Sequence, residues 1–88
     1  MEQKTKQQLT NRLHRIKGQV EGLERMVGVE KYCPDVIVQS LSVCESLKGF
    51  NRVLLENHIR EHVSHQIKHG KTDKAVEELI RIYKLNNR

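Results

Sequence analysis

At 88 residues the chain is read as one small domain spanning residues 1–88, whose limited core makes self-association an expectation from the start. Charged residues make up 31%, hydrophobic residues 36% and aromatic residues 3%, a composition too apolar and periodic for disorder and too poor in rings for a base-stacking platform. The net charge of +5 favours an anionic partner, nucleic acid first; with no apolar run near the roughly 20 residues of a membrane span and a start, MEQKTKQQ, too polar for a signal peptide, a cytoplasmic protein without membrane contact is expected.

The first helix is carried by Leu9, Leu13, Ile16, Val20, Leu23 and Val27, which follow one another at intervals of 4, 3, 4, 3 and 4. That is an uninterrupted a/d seam, so the helix should pack lengthwise in a bundle, with Gly28 marking its end. The second helix opens at CPDV, where Pro34 suits the first turn and leaves Cys33 at or next to the N-cap. Nothing breaks its pattern before Gly70 except Gly49, which is tolerable at about 1 kcal/mol. The helix is therefore about 35 residues and roughly 50 Å long, more than so short a chain needs to cover itself. Its apolar residues (Val36, Ile37, Leu41, Val43, Leu47, Phe50, Leu54, Leu55, Ile59 and Val63) wander over more than one face, which predicts covering on several sides. After HGKTD a third helix from about Thr72 turns Ala75, Val76, Leu79, Ile80 and Tyr83 inward, and the tail LNNR should fray.

Chemistry concentrates at the two ends of helix 2. In the expected reducing compartment Cys33 and Cys44 are thiols, ligands or redox groups rather than a disulfide. Cys44 falls in line with Ile37 and Leu41 and reads as core. Cys33 sits where a helix N-terminus favours negative charge, and the thiolate is the species that binds metal, although a small buried thiol at a helix start is an ordinary alternative. At the far end, NHIREHVSH places His58 and His62 four residues apart, a spacing that lets two imidazoles share one ion or simply forms a wet polar stripe. His65 and His69 continue that line towards the helix end, where polar and cationic groups suit the dipole and a solvated face is expected. His58, Glu61 and His62 also spell H-x-x-E-H, the string of inverted zinc peptidases. A hydrolase needs a third ligand, an open coordination position and a cleft, and three helices of this size leave no room for a cleft.

Cys33 and His58 lie 25 positions apart on one helix, roughly 37 Å, and cannot meet within a chain unless helix 2 breaks. Two copies of helix 2 packed antiparallel would bring them together, with the two-fold axis near Leu47 and two identical sites per dimer. One such arrangement accounts for the overlong helix, its many-sided apolar coat and the distant ligands.

The stretches RLHRIKGQVEGLERM (12–26), YCPDVIVQ (32–39), NRVLLENHIREHV (51–63) and AVEELI (75–80) together resemble the CsoR/RcnR family of metal-responsive transcriptional repressors, over about residues 9–83. The resemblance implies an all-α fold of three helices per protomer, an antiparallel helical-bundle dimer that pairs into a dimer of dimers, and no helix-turn-helix. It implies an apo form that binds double-stranded operator DNA and is released when metal binds an intersubunit site matching Cys33 of one protomer with His58 and His62 of the other. Tyr32 and Glu78 fall at positions that hydrogen-bond around the site in the copper branch; read alone, they are a packing residue and a solvent carboxylate. DNA contacts carry over to Arg12 and Arg15, with Lys17 beside them, and to Lys48 and Arg52 in the basic stretch of helix 2. An arginine the family often uses is replaced by Gly49. Singly each basic residue reads as a solvated face; together they make an electrostatic footprint.

Cu(I) is the expected inducer. Nickel or cobalt comes second, since HIREHVSHQ looks like that branch, but its N-terminal His is replaced by Glu2, Gln3 and Lys4. Zn(II) is chemically reasonable too. Glu2 also stands where formaldehyde-sensing relatives carry Pro, and the second Cys of persulfide sensors is missing near the histidines. The rival class is a small metal carrier without DNA binding, against which only the basic first helix argues.

Overall fold

The computed structural model describes residues 1–88, all of whose regular structure is helical. The elements are α1 (Gln3–Gly28), α2 (Cys33–His58), a five-residue π-helical segment (Ile59–Val63), α3 (Ser64–Lys68) and α4 (Thr72–Asn86). His58 (φ −61°, ψ −43°) and Ser64 (φ −56°, ψ −45°) keep helical dihedrals on either side of the π segment. The backbone is thus helical without a break from 33 to 68, and the chain makes the three helices expected of it. The uniform α geometry expected for helix 2 does not hold, since the hydrogen bonding widens over the five residues that follow His58.

Both turns between helices close in the same way. Val29 and Glu30 follow α1, and Lys31 N–H donates to the Met26 carbonyl (2.9 Å) while Glu30 N–H donates to that of Val27 (3.0 Å). This paired closure satisfies the last orphan carbonyls and requires a left-handed residue just past the helix. That residue is Glu30, at φ 53°, and not the glycine two positions earlier. After α3, Lys71 N–H reaches Gln66 O (2.7 Å) and Gly70 N–H reaches Ile67 O (3.3 Å), with Gly70 at φ 74°. Here the glycine stands where the left-handed conformation is needed.

The chain divides into two compact units, Met1–Leu55 and Glu56–Arg88. In the first, α1 lies along α2 as an antiparallel hairpin: Arg12, sixteen residues before the end of α1, touches Gly49, sixteen residues after the start of α2. The a/d seam of α1 splits by position. Leu9 and Ile16 are buried and Leu23 half-buried, whereas Leu13, Val20 and Val27 remain 45%, 50% and 64% exposed. α2 answers with Val43 buried and Val36 and Phe50 half-buried, again seven residues apart. Its other apolar side, with Ile37, Val38 and Leu41, is exposed, and so is Leu47 at the edge of the covered stripe. Cys44 shares that exposed side and is not the core residue its alignment with Ile37 and Leu41 suggested. The reason is simple: one covering helix buries one face, and α2 has two.

In the second unit the buried residues are Val63 of the π segment and Ala75 of α4, with Gln66, Glu78 and Leu79 half-buried. The expected inward row of α4 is again divided. Ala75 and Leu79 are covered, but Val76, Ile80 and Tyr83 are exposed, Tyr83 at 69%. They stand about one turn apart on a second apolar stripe that the short second unit cannot cover by itself.

Candidate metal centre and basic face

Cys33 is the first residue of α2. The Tyr32 carbonyl accepts the N–H groups of Asp35 (3.0 Å) and Val36 (3.3 Å), which makes Tyr32 the capping position. The thiol is free and exposed, and the Tyr32 side chain beside it is exposed as well. Pro34 fits the next position because the first-turn N–H it lacks has no helical acceptor to lose.

His58 ends α2 and is half-buried, while His62 lies inside the π segment and is exposed. Their rings stand 5.3 Å apart, centre to centre, tilted by 34°. Two imidazoles at this separation can turn one nitrogen each towards a shared ion, given metal–nitrogen bonds of about 2.0–2.1 Å. π segments of one turn occur often at functional sites, and this one begins directly after His58 and holds His62 as its fourth residue. Glu56, one turn before, pairs with Arg60 at 2.9 Å, an exposed contact worth little in stability.

Cys33 and His58 are the two ends of the same 26-residue helix, about 37 Å apart at 1.5 Å per residue. Within one chain no three His, Cys, Asp or Glu side chains come together as a metal-holding group. The structure therefore brings His58 and His62 together and leaves Cys33, with its neighbour Tyr32, at the opposite end of α2. Glu78 lies half-buried on α4 in the same compact unit as the two histidines.

The basic residues cluster on the hairpin. Arg12, Arg15, Ile16, Gln19 and Ser46 line a shallow open depression between α1 and α2. Arg12 is half-buried because its guanidinium rests over Gly49, where a built Cβ would lie 3.0 Å from Nη1. Gln19 Oε1 is buried beside it without a hydrogen-bond partner. Lys17 and Arg52 are exposed, and Lys48 is exposed with a loose contact to Glu45 at 3.4 Å. Sequence reasoning marked Gln19 only as part of the family's GQ pair and did not single out the Arg12–Gly49 contact. The glycine itself was the available signal, since a side chain missing mid-helix leaves room for a neighbour.

Over residues 5–84 the chain matches the family described as metal-sensitive transcriptional repressors. It belongs to that family. The copper-sensing transcriptional repressor CsoR of Bacillus subtilis (strain 168) is 42% identical over 81 residues, covering 92% of this chain and 80% of the relative. The protein of the same description from Mycobacterium tuberculosis (strain ATCC 25618 / H37Rv) is 40% identical over 70 residues, 80% of this chain, which spans 59% of that relative's length. Among solved structures, the copper-sensing repressor CsoR with Cu(I) from Geobacillus thermodenitrificans NG80-2 superimposes with a TM-score of 0.93 at 30% identity, covering 100% of this chain and 92% of that one. The nickel-responsive transcriptional regulator InrS is similar with a TM-score of 0.74 at 31% identity, covering 89% of this chain and 88% of its own. The all-α architecture is thus that of this repressor family, and no helix is long and apolar enough to cross a membrane.

Proposed function

We propose that this repressor binds operator DNA in its apo form and lets go when Cu(I) binds between two protomers, to Cys33 of one and His58 and His62 of the other. The observation that carries the reading is the placement of the donors: a free thiol at the first residue of α2 and paired imidazoles beginning at its last. One soft thiolate with two imidazoles suits Cu(I), and the copper-sensing relatives support that choice.

The two-fold arrangement draws support from the apolar residues that α1 leaves uncovered. The midpoint of positions 33 and 62 is 47.5, next to the exposed Leu47, and Ile37, Val38 and Leu41 are exposed on the same helix. An antiparallel pairing of two α2 helices about that point would cover apolar surface that α1 leaves open and align each Cys33 with the partner's histidine end. The exposed stripes of α1 and α4 leave further apolar surface for a dimer of dimers. In this assembly the chain acts as one metal-sensing, DNA-binding domain spanning 1–88, with Tyr32 and Glu78 as hydrogen-bonding residues around the site.

Arg12, Arg15 and Lys17 on α1 and Lys48 and Arg52 on α2 are the proposed phosphate contacts, without a helix-turn-helix. Lys48 and Arg52 lie on the helix whose two ends carry the ligands, so a constraint at those ends reaches them through continuous backbone. When bound, the ion supplies one thing, a covalent tie between the start of one α2 and the far end of its partner's. Ligand and DNA then disfavour each other by a shared coupling free energy; a tenfold loss of DNA affinity corresponds to about 1.4 kcal/mol.

A mobility-shift titration tests this reading. Reduced, metal-free protein should bind duplex DNA from its own control region at moderate salt, and stoichiometric Cu(I) should weaken binding at least tenfold. No DNA binding by the apo protein would favour a metal carrier. A nickel or cobalt sensor on the same fold is the second reading, favoured by the imidazole at His62 and the likeness to InrS. Competition among Cu(I), Zn(II), Ni(II) and Co(II), read against release from DNA, separates the two.

A further inference from the structure

The histidine stripe contains two pairs, and the second is the tighter. His65 and His69 stand with ring centres 4.2 Å apart and planes tilted by 38°, closer than the 5.3 Å of His58 and His62. We propose that His65 and His69 form a separate site for a divalent borderline ion such as Ni(II), Zn(II) or Cu(II), which fastens the last turn of α3 before the chain reverses into α4.

Three observations support it. First, backbone geometry holds the pair: His69 N–H donates to the His65 carbonyl at 3.1 Å, so the i,i+4 relation survives to the final residue of the turn. The closure onto Gln66 and Ile67, with Gly70 left-handed, then sets the direction of the chain immediately after His69. Second, both imidazoles are exposed at the carbonyl end of a helix, where the backbone dipoles favour a cation. Third, the protein donors are two imidazoles without a thiolate, a set that suits borderline divalent ions better than Cu(I). Lys68 and Lys71 flank the pair, and their charge keeps the affinity below that of a site with a thiolate. Because the ion binds the ordered turn better than a frayed one, it stabilises that turn in proportion to its occupancy. The site is independent of the proposed intersubunit centre.

The test removes that centre first. An untagged full-length chain carrying Cys33→Ser, His58→Ala and His62→Ala is dialysed against Ni(II) and, separately, Zn(II). The expected result is one ion per chain and a melting temperature that rises with ion concentration. Adding His65→Ala or His69→Ala should weaken binding at least tenfold and abolish the rise. Should the triple variant unfold, as circular dichroism would reveal, His65→Ala and His69→Ala are compared in the otherwise native chain. There the divalent-dependent rise should shrink by the share of the His65–His69 site while release from DNA by Cu(I) persists. A folded triple variant that takes up no ion, or takes it up equally well without His65, would overturn the proposal, as would an unchanged divalent-dependent rise in the native background. The outcomes in the triple variant do not depend on whether Cys33, His58 and His62 hold Cu(I); the Cu(I) arm in the native background rests on that reading.

Discussion

Gly49 and Arg12 show how much one absent side chain can direct. With no Cβ at position 49 the Arg12 guanidinium lies down against α2. Gly49→Ala should raise stability by about 1 kcal/mol, since alanine is the better helix former and the obstructed group is the mobile tip of a long side chain. The same change lifts Arg12 off the helix and should alter DNA affinity while leaving Cu(I) affinity unchanged. Urea denaturation with a parallel DNA titration checks both; a net loss of stability would mean that Arg12 cannot move. The two left-handed residues make an opposed pair of expectations. Glu30→Gly should stabilise the protein by about 1 kcal/mol by relieving φ 53° in a residue with a Cβ, whereas Gly70→Ala should destabilise it by a similar amount. Thermal melts of the two variants should move in opposite directions. Gly70 was legible in the sequence as a helix stop, and Cys33 and Pro34 as a helix start. Glu30 was not, because its conformation comes from the closure of the turn and glutamate gives no sign of it.

Among the elements, helix positions were legible and their coverings were not. The 4-3 rhythm of α1 marks a helix with an apolar seam but does not say that Leu9, Ile16 and Leu23 face their own chain while Leu13, Val20 and Val27 do not. Two stripes seven residues apart look the same in sequence whether one partner or two covers them. Cys44, Val76, Ile80 and Tyr83 were misplaced as covered for the same reason. The π segment was invisible too, since widening five residues leaves the apolar pattern almost unchanged. The division of faces yields a paired expectation. Val43→Ala, inside the hairpin, should lower stability by about 2 kcal/mol through lost burial and a cavity. Leu41→Glu, on the uncovered side of α2, should leave the helices formed but reduce the particle size in sedimentation velocity. If Leu41→Glu sediments like the unaltered protein, that side of α2 is not where copies meet.

For the whole molecule, the proposed ligands stand out in the sequence as residue types, and the distance between them as helix length. What neither the sequence nor one chain displays is the partner that would join them in the proposed assembly, because symmetry belongs to the assembly. The central claim is that each metal site draws Cys33 from one chain and His58 and His62 from another. Cys33→Ala and His62→Ala, each alone, should make homodimers without a complete site, and both should fold and bind DNA, since neither residue belongs to the buried seam. The decisive measurement is Cu(I) affinity of the two variants apart and after refolding together. The account predicts that the mixture recovers tight binding, with one intact site per heterodimer, and recovers release from DNA with it. A mixture that binds no better than either parent would contradict the shared site and, with it, the antiparallel pairing of α2.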